Sequence, residues 1–194
     1  MTIKTADRLH FTGDDQADRL LANEPMALLI GFALDQQVPV QKAFSGPKVL
    51  LERLGTLDAK RLATIDPAEL EAAAKGPPAI HRFPRAMATR IRELAAHIAE
   101  TYDGDASRLW TEAADGADLR RRIAQLPGFG EMKVNGLTAV LVKRLGVRPP
   151  GWEDALPKYP TLGDVDSRQA LADYQAKKRA YKASLRERSE TFKP

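Results

Sequence analysis

The chain has 194 residues, a net charge of +4 and an ordinary apolar fraction, which suits one compact domain or two small lobes that share a core. It contains no cysteine, which excludes disulfides, thiolate nucleophiles and an iron–sulfur cluster held by cysteines. With three histidines we expect no metal site, and no apolar run approaches the roughly 20 residues of a membrane span.

Helical periodicity runs through nearly the whole chain, and alternating runs typical of β-strands are scarce. The most apolar helix is hydrophobic almost all round, which places it in the centre of a domain. Two short helices have an aspartate near their start, where a carboxylate can cap free amides. We predict helices over residues 14–21, 26–34, 39–54, 58–63, 66–74, 84–102 and 105–110.

The second half of the chain continues with a pair of helices joined by a tight loop. The pair spans residues 117–125 and 131–145, and the chain is then rich in proline and glycine up to Gly163. A last helix runs from Ser167 to about residue 188. The whole positive excess falls in residues 101–194, and much of it lies near the end, at Lys177, Lys178, Arg179, Lys182, Arg186, Arg188 and Lys193. Such a basic end suits a polyanionic partner, although a solvated helix face has the same composition.

The loop between the paired helices reads Leu126-Pro127-Gly128-Phe129-Gly130. Its glycines permit positive φ and remove side chains, so that a phosphate can approach the backbone, and Pro127 stiffens the start of the loop. The first amides of the next helix have no intrahelical acceptor, and the helix dipole favours an anion there. We predict a backbone site for DNA phosphates that reads no base sequence, with a structural monovalent cation as a possible addition. An ordinary helix–helix turn is the alternative.

At this loop the chain resembles the helix-hairpin-helix superfamily of base-excision DNA glycosylases, nearest its alkyladenine and endonuclease III-like branches, without the iron–sulfur cluster. The segment from Ala27 to Ala43 resembles the family's buried helix and the Gln-Gln-Val turn that follows it. The resemblance covers roughly residues 20–150. It implies an all-α fold with two helical lobes and a cleft between them. It also implies a partner, double-stranded DNA with a damaged base that is flipped out of the stack.

The resemblance implies one catalytic aspartate after the hairpin, whose carboxylate stabilises a developing oxocarbenium ion or activates the nucleophile. Its expected position falls near Pro149, where this chain has no acid. The candidates are Asp154, a few residues late, and then Asp164, with Asp166 third. Helix capping or solvent exposure is the alternative for each of them.

Bifunctional members of the family carry a lysine nucleophile in the second hairpin helix. That position falls on Met132, and Lys133 is turned by about 100° around the helix. We therefore expect Lys133 to face the DNA backbone, and we predict a monofunctional enzyme without lyase activity.

The remaining site candidates surround the expected place of the extruded base. The resemblance assigns Gln36 and Gln37 to the opened duplex. His81 and Phe83 are candidates for recognising or stacking on the base, Trp152 for lining the pocket mouth, and Arg82 for holding a phosphate. Core packing and helix capping are the alternatives for the pocket residues.

We expect a helical bundle over residues 25–145, with the hairpin at 117–145, and a second lobe formed by residues 1–24 and 146–194, including the basic C-terminal helix. We expect a cytoplasmic monomer, associated with the nucleoid if it is bacterial, because residues 1–20 lack the apolar core of a signal peptide. No organic cofactor is expected. A non-catalytic DNA-binding protein is the main alternative to a glycosylase, and a helical protein-interaction domain is a third hypothesis.

Overall fold

The computed structural model describes residues 5–191, with side chains up to residue 180 and at residue 183. This part of the chain is all-α, as the sequence predicts, and contains no strand. The helices are α1 (Asp15–Asn23), α2 (Pro25–Leu34), α3 (Val40–Leu54), α4 (Ala59–Thr64), α5 (Pro67–Lys75), α6 (Pro84–Tyr102), α7 (Arg108–Thr111), α8 (Gly116–Ala124), α9 (Glu131–Lys143), α10 (Trp152–Ala155) and α11 (Arg168–Thr191).

Aspartate caps set the starts of four of these helices, of which α8 is capped by Asp115. The carboxylate of Asp14 accepts the amides of the first turn of α1, and Asp58 and Asp66 do the same for α4 and α5. Each cap satisfies an amide that the helix itself leaves without a partner, which is worth about 1 kcal/mol. The predicted caps of α4 and α5 are thereby confirmed.

Helix α2 lies in the centre of the molecule, as its apolar composition predicts. All of its residues after Pro25 are buried, and it packs against α1, α3 and α6. Gly31 allows this close packing, because a Cβ there would lie 2.5 Å from Cδ1 of Phe44. The C-terminal end of α2 therefore leads from the core directly to the turn that carries Gln36 and Gln37.

One hydrophobic cluster extends across the described chain. It includes Leu9 and Phe11 near the beginning, the α2 side chains, and Leu162 and Leu171 near the end. Both predicted lobes thus contribute to the same core. The division into residues 25–145 and a lobe of both termini stays a prediction.

The segment after α9 contains more structure than we predict from its prolines and glycines. It forms the short helix α10, which packs on α8, and a 3₁₀ turn, Leu162–Asp164, which packs on α9. Contacts with these helices hold both elements; for example, the Gly116 amide donates to the Pro150 carbonyl at 2.8 Å. Elements this short have no periodicity to detect, because tertiary contacts and not propensity stabilise them.

None of the helices in the described part of the chain is long and apolar enough to cross a membrane. The last helix, α11, carries the predicted basic run. The side chains of Lys182, Arg186, Arg188 and Lys193 lie outside the described residues.

Candidate functional site

The hairpin loop between α8 and α9 is anchored by two apolar side chains. Leu126 and Phe129 are buried, and the Phe129 amide donates to the Leu126 carbonyl at 3.1 Å, which closes the turn. Gly128 has a φ of 76°, a left-handed conformation that favours glycine. Gly128 and Gly130 are exposed. The loop thus turns its backbone outward while its side chains fix it to the core.

The start of α9 presents free amides. Among the described residues, no acceptor pairs with the amides of Gly128, Gly130, Glu131 and Met132, and no side chain caps the helix. The α9 ladder begins only at Lys133, whose amide donates to the Gly130 carbonyl at 3.0 Å. A row of free donors at the positive end of a helix suits an anion.

A guanidinium group that the sequence analysis missed lies beside this loop. Arg90, on α6, packs so closely against Gly128 that a Cβ at Gly128 would lie 2.0 Å from its Nη1 atom. In the described part of the chain, Arg90 has no ion-pair partner and its guanidinium donates no hydrogen bond. Nothing local in the sequence links residues 90 and 128, and only the packing of α6 against the hairpin brings them together.

The carbonyl groups of the loop that could bind the predicted monovalent cation already accept hydrogen bonds. The carbonyl of Leu126 accepts the Phe129 amide, that of Gly130 accepts two amides of α9, and Arg90 already places a positive charge at the loop. A cation here stays a prediction. No group of three His, Asp or Glu side chains that could hold a metal ion occurs among the residues described.

Lys133 points from α9 toward the end of α2. Its Nζ atom donates to the Ala33 carbonyl at 2.9 Å and lies 5.6 Å from the centre of the Phe129 ring. Burial lowers the pKa of Lys133 from 10.5 to about 8, while the Asp35 carboxylate raises it and Arg90 lowers it further. The side chain is thus half-buried and directed inward, and a role in phosphate binding stays a prediction.

This pKa predicts how stability depends on pH. Between about pH 8 and 10.5 the unfolded chain holds a proton on Lys133 that the folded chain has released, so the free energy of unfolding rises with pH across this window. After a discount for partial exposure, we expect a rise about 2 kcal/mol larger in the wild type than in Lys133→Met. Urea denaturation at pH 8 and pH 10.5 measures the difference. If the free energy of unfolding rises equally with pH in the two proteins, the lowered pKa of Lys133 is contradicted.

Two tyrosines of the C-terminal segment belong to the surroundings of α9 and Asp35. Burial, and then the charges of Asp35, Tyr159 and Asp164, raise the pKa of Tyr174 to about 12. Tyr159 is 46% exposed, and its hydroxyl accepts a hydrogen bond of 2.6 Å from Nδ2 of Asn135 on α9. Sequence reasoning missed both tyrosines, because α11 and the segment before it carry no motif that connects them to the hairpin.

The Gln-Gln turn is held by His81. The Gln36 carbonyl lies 2.9 Å from Nε2 of His81, and Nδ1 of His81 accepts the Phe83 amide at 3.0 Å. His81 is 1% exposed, so both ring nitrogens are engaged inside the protein. Gln37 is exposed at the tip of the turn with a φ of 55°. The histidine proposed for base recognition thus positions the glutamine turn.

The other predicted pocket residues lie in two different places. Phe83 is 43% exposed at the start of α6, with the Arg82 guanidinium 4.7 Å from its ring centre. Trp152 is half-buried on α10, which packs on α8, and Arg148 lies 4.8 Å from its ring centre. Phe83 has the exposed face that stacking on a base requires.

The predicted catalytic aspartates differ in their surroundings. Asp164 accepts the Thr161 amide at 2.8 Å and an ion pair of 2.5 Å from Lys143. Burial raises the pKa of Asp164, but the hydrogen bonds from Lys143 and Thr161 outweigh it and lower the value. Asp154 is exposed on α10, and Asp166 is exposed before α11. Asp164 thus belongs to the capping box of the 3₁₀ turn and pairs with Lys143 of α9, whereas the predicted cap was that of the last helix, and a catalytic role for any of the three aspartates stays a prediction.

The family model described as HhH-GPD superfamily base excision DNA repair protein matches residues 30–194. The matched range contains the glutamine turn, the hairpin and all three candidate aspartates. No curated protein and no solved structure matches the chain.

Proposed function

Because the chain belongs to the HhH-GPD superfamily of base excision DNA repair proteins, we propose that it is a DNA glycosylase. It would hydrolyse the N-glycosidic bond of a damaged base that is flipped out of double-stranded DNA, and act as a monomer. The observation that carries this proposal is the group of free hairpin amides beside Arg90, next to the inward-pointing Lys133.

The DNA contacts would start at the hairpin. A backbone phosphate would accept hydrogen bonds from the amides of Gly130 and Glu131, and Arg90 would neutralise its charge. Gln37, exposed at its turn, would enter the gap left by the extruded base. Arg82 would hold a second phosphate, and Phe83 would stack on a base. The hydrogen bond between the Gln36 carbonyl and Nε2 of His81 would hold the glutamine turn in place at the opened duplex.

Catalysis requires a carboxylate near the sugar, for which the sequence nominates Asp154 and Asp164. Lyase activity would instead require an unprotonated amine, and Lys133 has the lowered pKa for it. Its Nζ atom is engaged by the Ala33 carbonyl, and this contact supports a monofunctional enzyme. Reduction with borohydride during the reaction distinguishes the two cases, because only an imine is trapped as a covalent complex with DNA.

Single-turnover assays on duplexes with alkylated, oxidised and deaminated bases test the proposal. We expect base release from at least one of them, without strand cleavage and without a trapped covalent complex. DNA affinity should also fall steeply as salt rises, since each phosphate contact releases counterions. No base release from any duplex, combined with salt-dependent binding, would identify the second candidate, a non-catalytic DNA-binding protein. The position of Asp164 in a cap and an ion pair favours this alternative.

A further inference from the structure

Three hydrogen-bonded side chains lead from α8 across α9 to an exposed hydroxyl. Nη1 of Arg120 donates to Oδ1 of Asn135 at 2.6 Å, and Nδ2 of Asn135 donates to the Tyr159 hydroxyl at 2.6 Å. Nη1 of Arg120 also donates to the Ala155 carbonyl at 3.1 Å, which fixes the guanidinium against α10. Asn135 is buried, whereas Tyr159 is exposed. The three side chains thus connect a positive charge to a hydroxyl that solvent reaches.

The arginine fixes the direction of both side-chain hydrogen bonds. A guanidinium can only donate, so Oδ1 of Asn135 faces Arg120 and the amide NH₂ group faces Tyr159. The Tyr159 oxygen therefore accepts a hydrogen bond from Asn135, and its own hydrogen is left to donate elsewhere. Because the charge of Arg120 polarises the two bonds in sequence, that hydrogen becomes a stronger donor.

The protein offers this hydrogen only a weak acceptor. Within the described residues, the Tyr159 hydroxyl reaches Sδ of Met132 at 4.0 Å, and a thioether sulfur accepts hydrogen bonds poorly. The Met132 side chain is 69% exposed, so a ligand can displace it. Met132 lies in the first turn of α9, next to the free amides of Gly130 and Glu131. The Tyr159 hydroxyl is therefore an available donor beside the proposed phosphate site.

We infer that the Tyr159 hydroxyl donates a hydrogen bond to a second DNA phosphate, next to the one at the hairpin. Asn135 and Arg120 are the residues that position it. This inference rests on the proposed binding of DNA. An anionic oxygen is the acceptor that strengthens such a hydrogen bond most. The charge of Arg120, which pairs with no carboxylate in the described part of the chain, attracts the same anion.

A duplex with one tetrahydrofuran abasic site tests this contact without knowledge of the lesion. Tyr159→Phe keeps the aromatic ring and loses only the hydroxyl, and we expect it to bind this duplex about five- to tenfold more weakly than the wild type. Tyr102→Phe is the matched control, because Tyr102 is 3% exposed and cannot reach DNA. It should bind within about twofold of the wild type. Wild-type affinity in Tyr159→Phe, or an equal loss in Tyr102→Phe, would overturn the inference.

Replacing each phosphate of the same duplex in turn with an uncharged methylphosphonate identifies the acceptor. At one position the replacement should weaken binding by the wild type clearly more than binding by Tyr159→Phe, because the variant has no hydroxyl to lose a partner. If the two proteins lose affinity equally at every position, the hydroxyl contacts a base or a sugar, and the inference of a phosphate contact is wrong.

A further variant tests the direction of the hydrogen bonds. Asn135→Asp has nearly the same shape, but both of its oxygens accept, so the carboxylate keeps Arg120 and also takes the hydrogen of Tyr159. Tyr159→Phe made in the Asn135→Asp protein should therefore change DNA affinity by less than about twofold. The added negative charge is common to both proteins of this comparison and cancels. A full five- to tenfold loss in that background would show that the hydroxyl does not depend on Asn135, and would overturn the inference.

The same measurements separate this inference from the proposed function. If the wild type binds no duplex even at low salt, the proposed function fails, and the inference fails with it. If the wild type binds and Tyr159→Phe binds equally well, the inference alone fails.

Discussion

Replacing Gly130 with valine is expected to weaken DNA binding by at least about tenfold on every sequence, with little change in stability. Gly130 has a φ of −80°, and a Cβ built there meets no atom within 4 Å. The folded protein can therefore accept the side chain, at the cost of about 1 kcal/mol for a poor N-cap residue. The space that the side chain would fill is the space that we assign to the phosphate.

Fluorescence anisotropy with several unrelated duplexes, together with thermal unfolding, measures these effects. Gly128→Ala should weaken binding as well, because its Cβ would lie 2.0 Å from Nη1 of Arg90 and displace the guanidinium. Gly55→Ala is its matched control, since Gly55 also has a left-handed backbone, with a φ of 72°, but open space around it. A loss of affinity confined to certain sequences, or one as large in Gly55→Ala as at the hairpin, would contradict a backbone phosphate site.

Gly163→Ala is expected to lower the free energy of unfolding by about 2–3 kcal/mol. The added Cβ would lie 2.5 Å from the carbonyl carbon of Ala139 and 2.6 Å from its oxygen. These atoms belong to the backbone of α9, which cannot yield as a flexible side chain can. The 3₁₀ turn would have to move off α9, and with it Asp164, whose ion pair with Lys143 joins the two elements.

Urea denaturation measures this loss, provided that the slope of the transition stays the same. Gly151→Ala provides the comparison: its φ of 69° strains an alanine, but no atom lies within 4 Å of the added Cβ. We expect a cost of about 1 kcal/mol there, from the backbone alone. If Gly163→Ala costs no more than Gly151→Ala, the close approach of the 3₁₀ turn to α9 is not what stabilises this region.

The sequence was most informative where local chemistry decides the structure. The all-α class, the central position of α2 and the caps at Asp58 and Asp66 follow from periodicity and from amides that need an acceptor. The hairpin loop is also determined locally, because glycine, proline and the start of a helix specify its backbone within a few residues. These features could be predicted because the groups that interact are neighbours in the chain.

The arrangement of the candidate site was decided by tertiary packing. Arg90 reaches Gly128 from α6, and Lys133 reaches the end of α2 across a hundred residues of chain. The resemblance made Asp164 a catalytic candidate, and the turn before α6 made His81 a pocket candidate. Only the fold shows that Asp164 contacts Thr161 and Lys143 and that His81 contacts the glutamine turn. A side chain's partners depend on which helices pack together and at what rotation. Those quantities arise from the burial of the whole core, and no short stretch of sequence contains them.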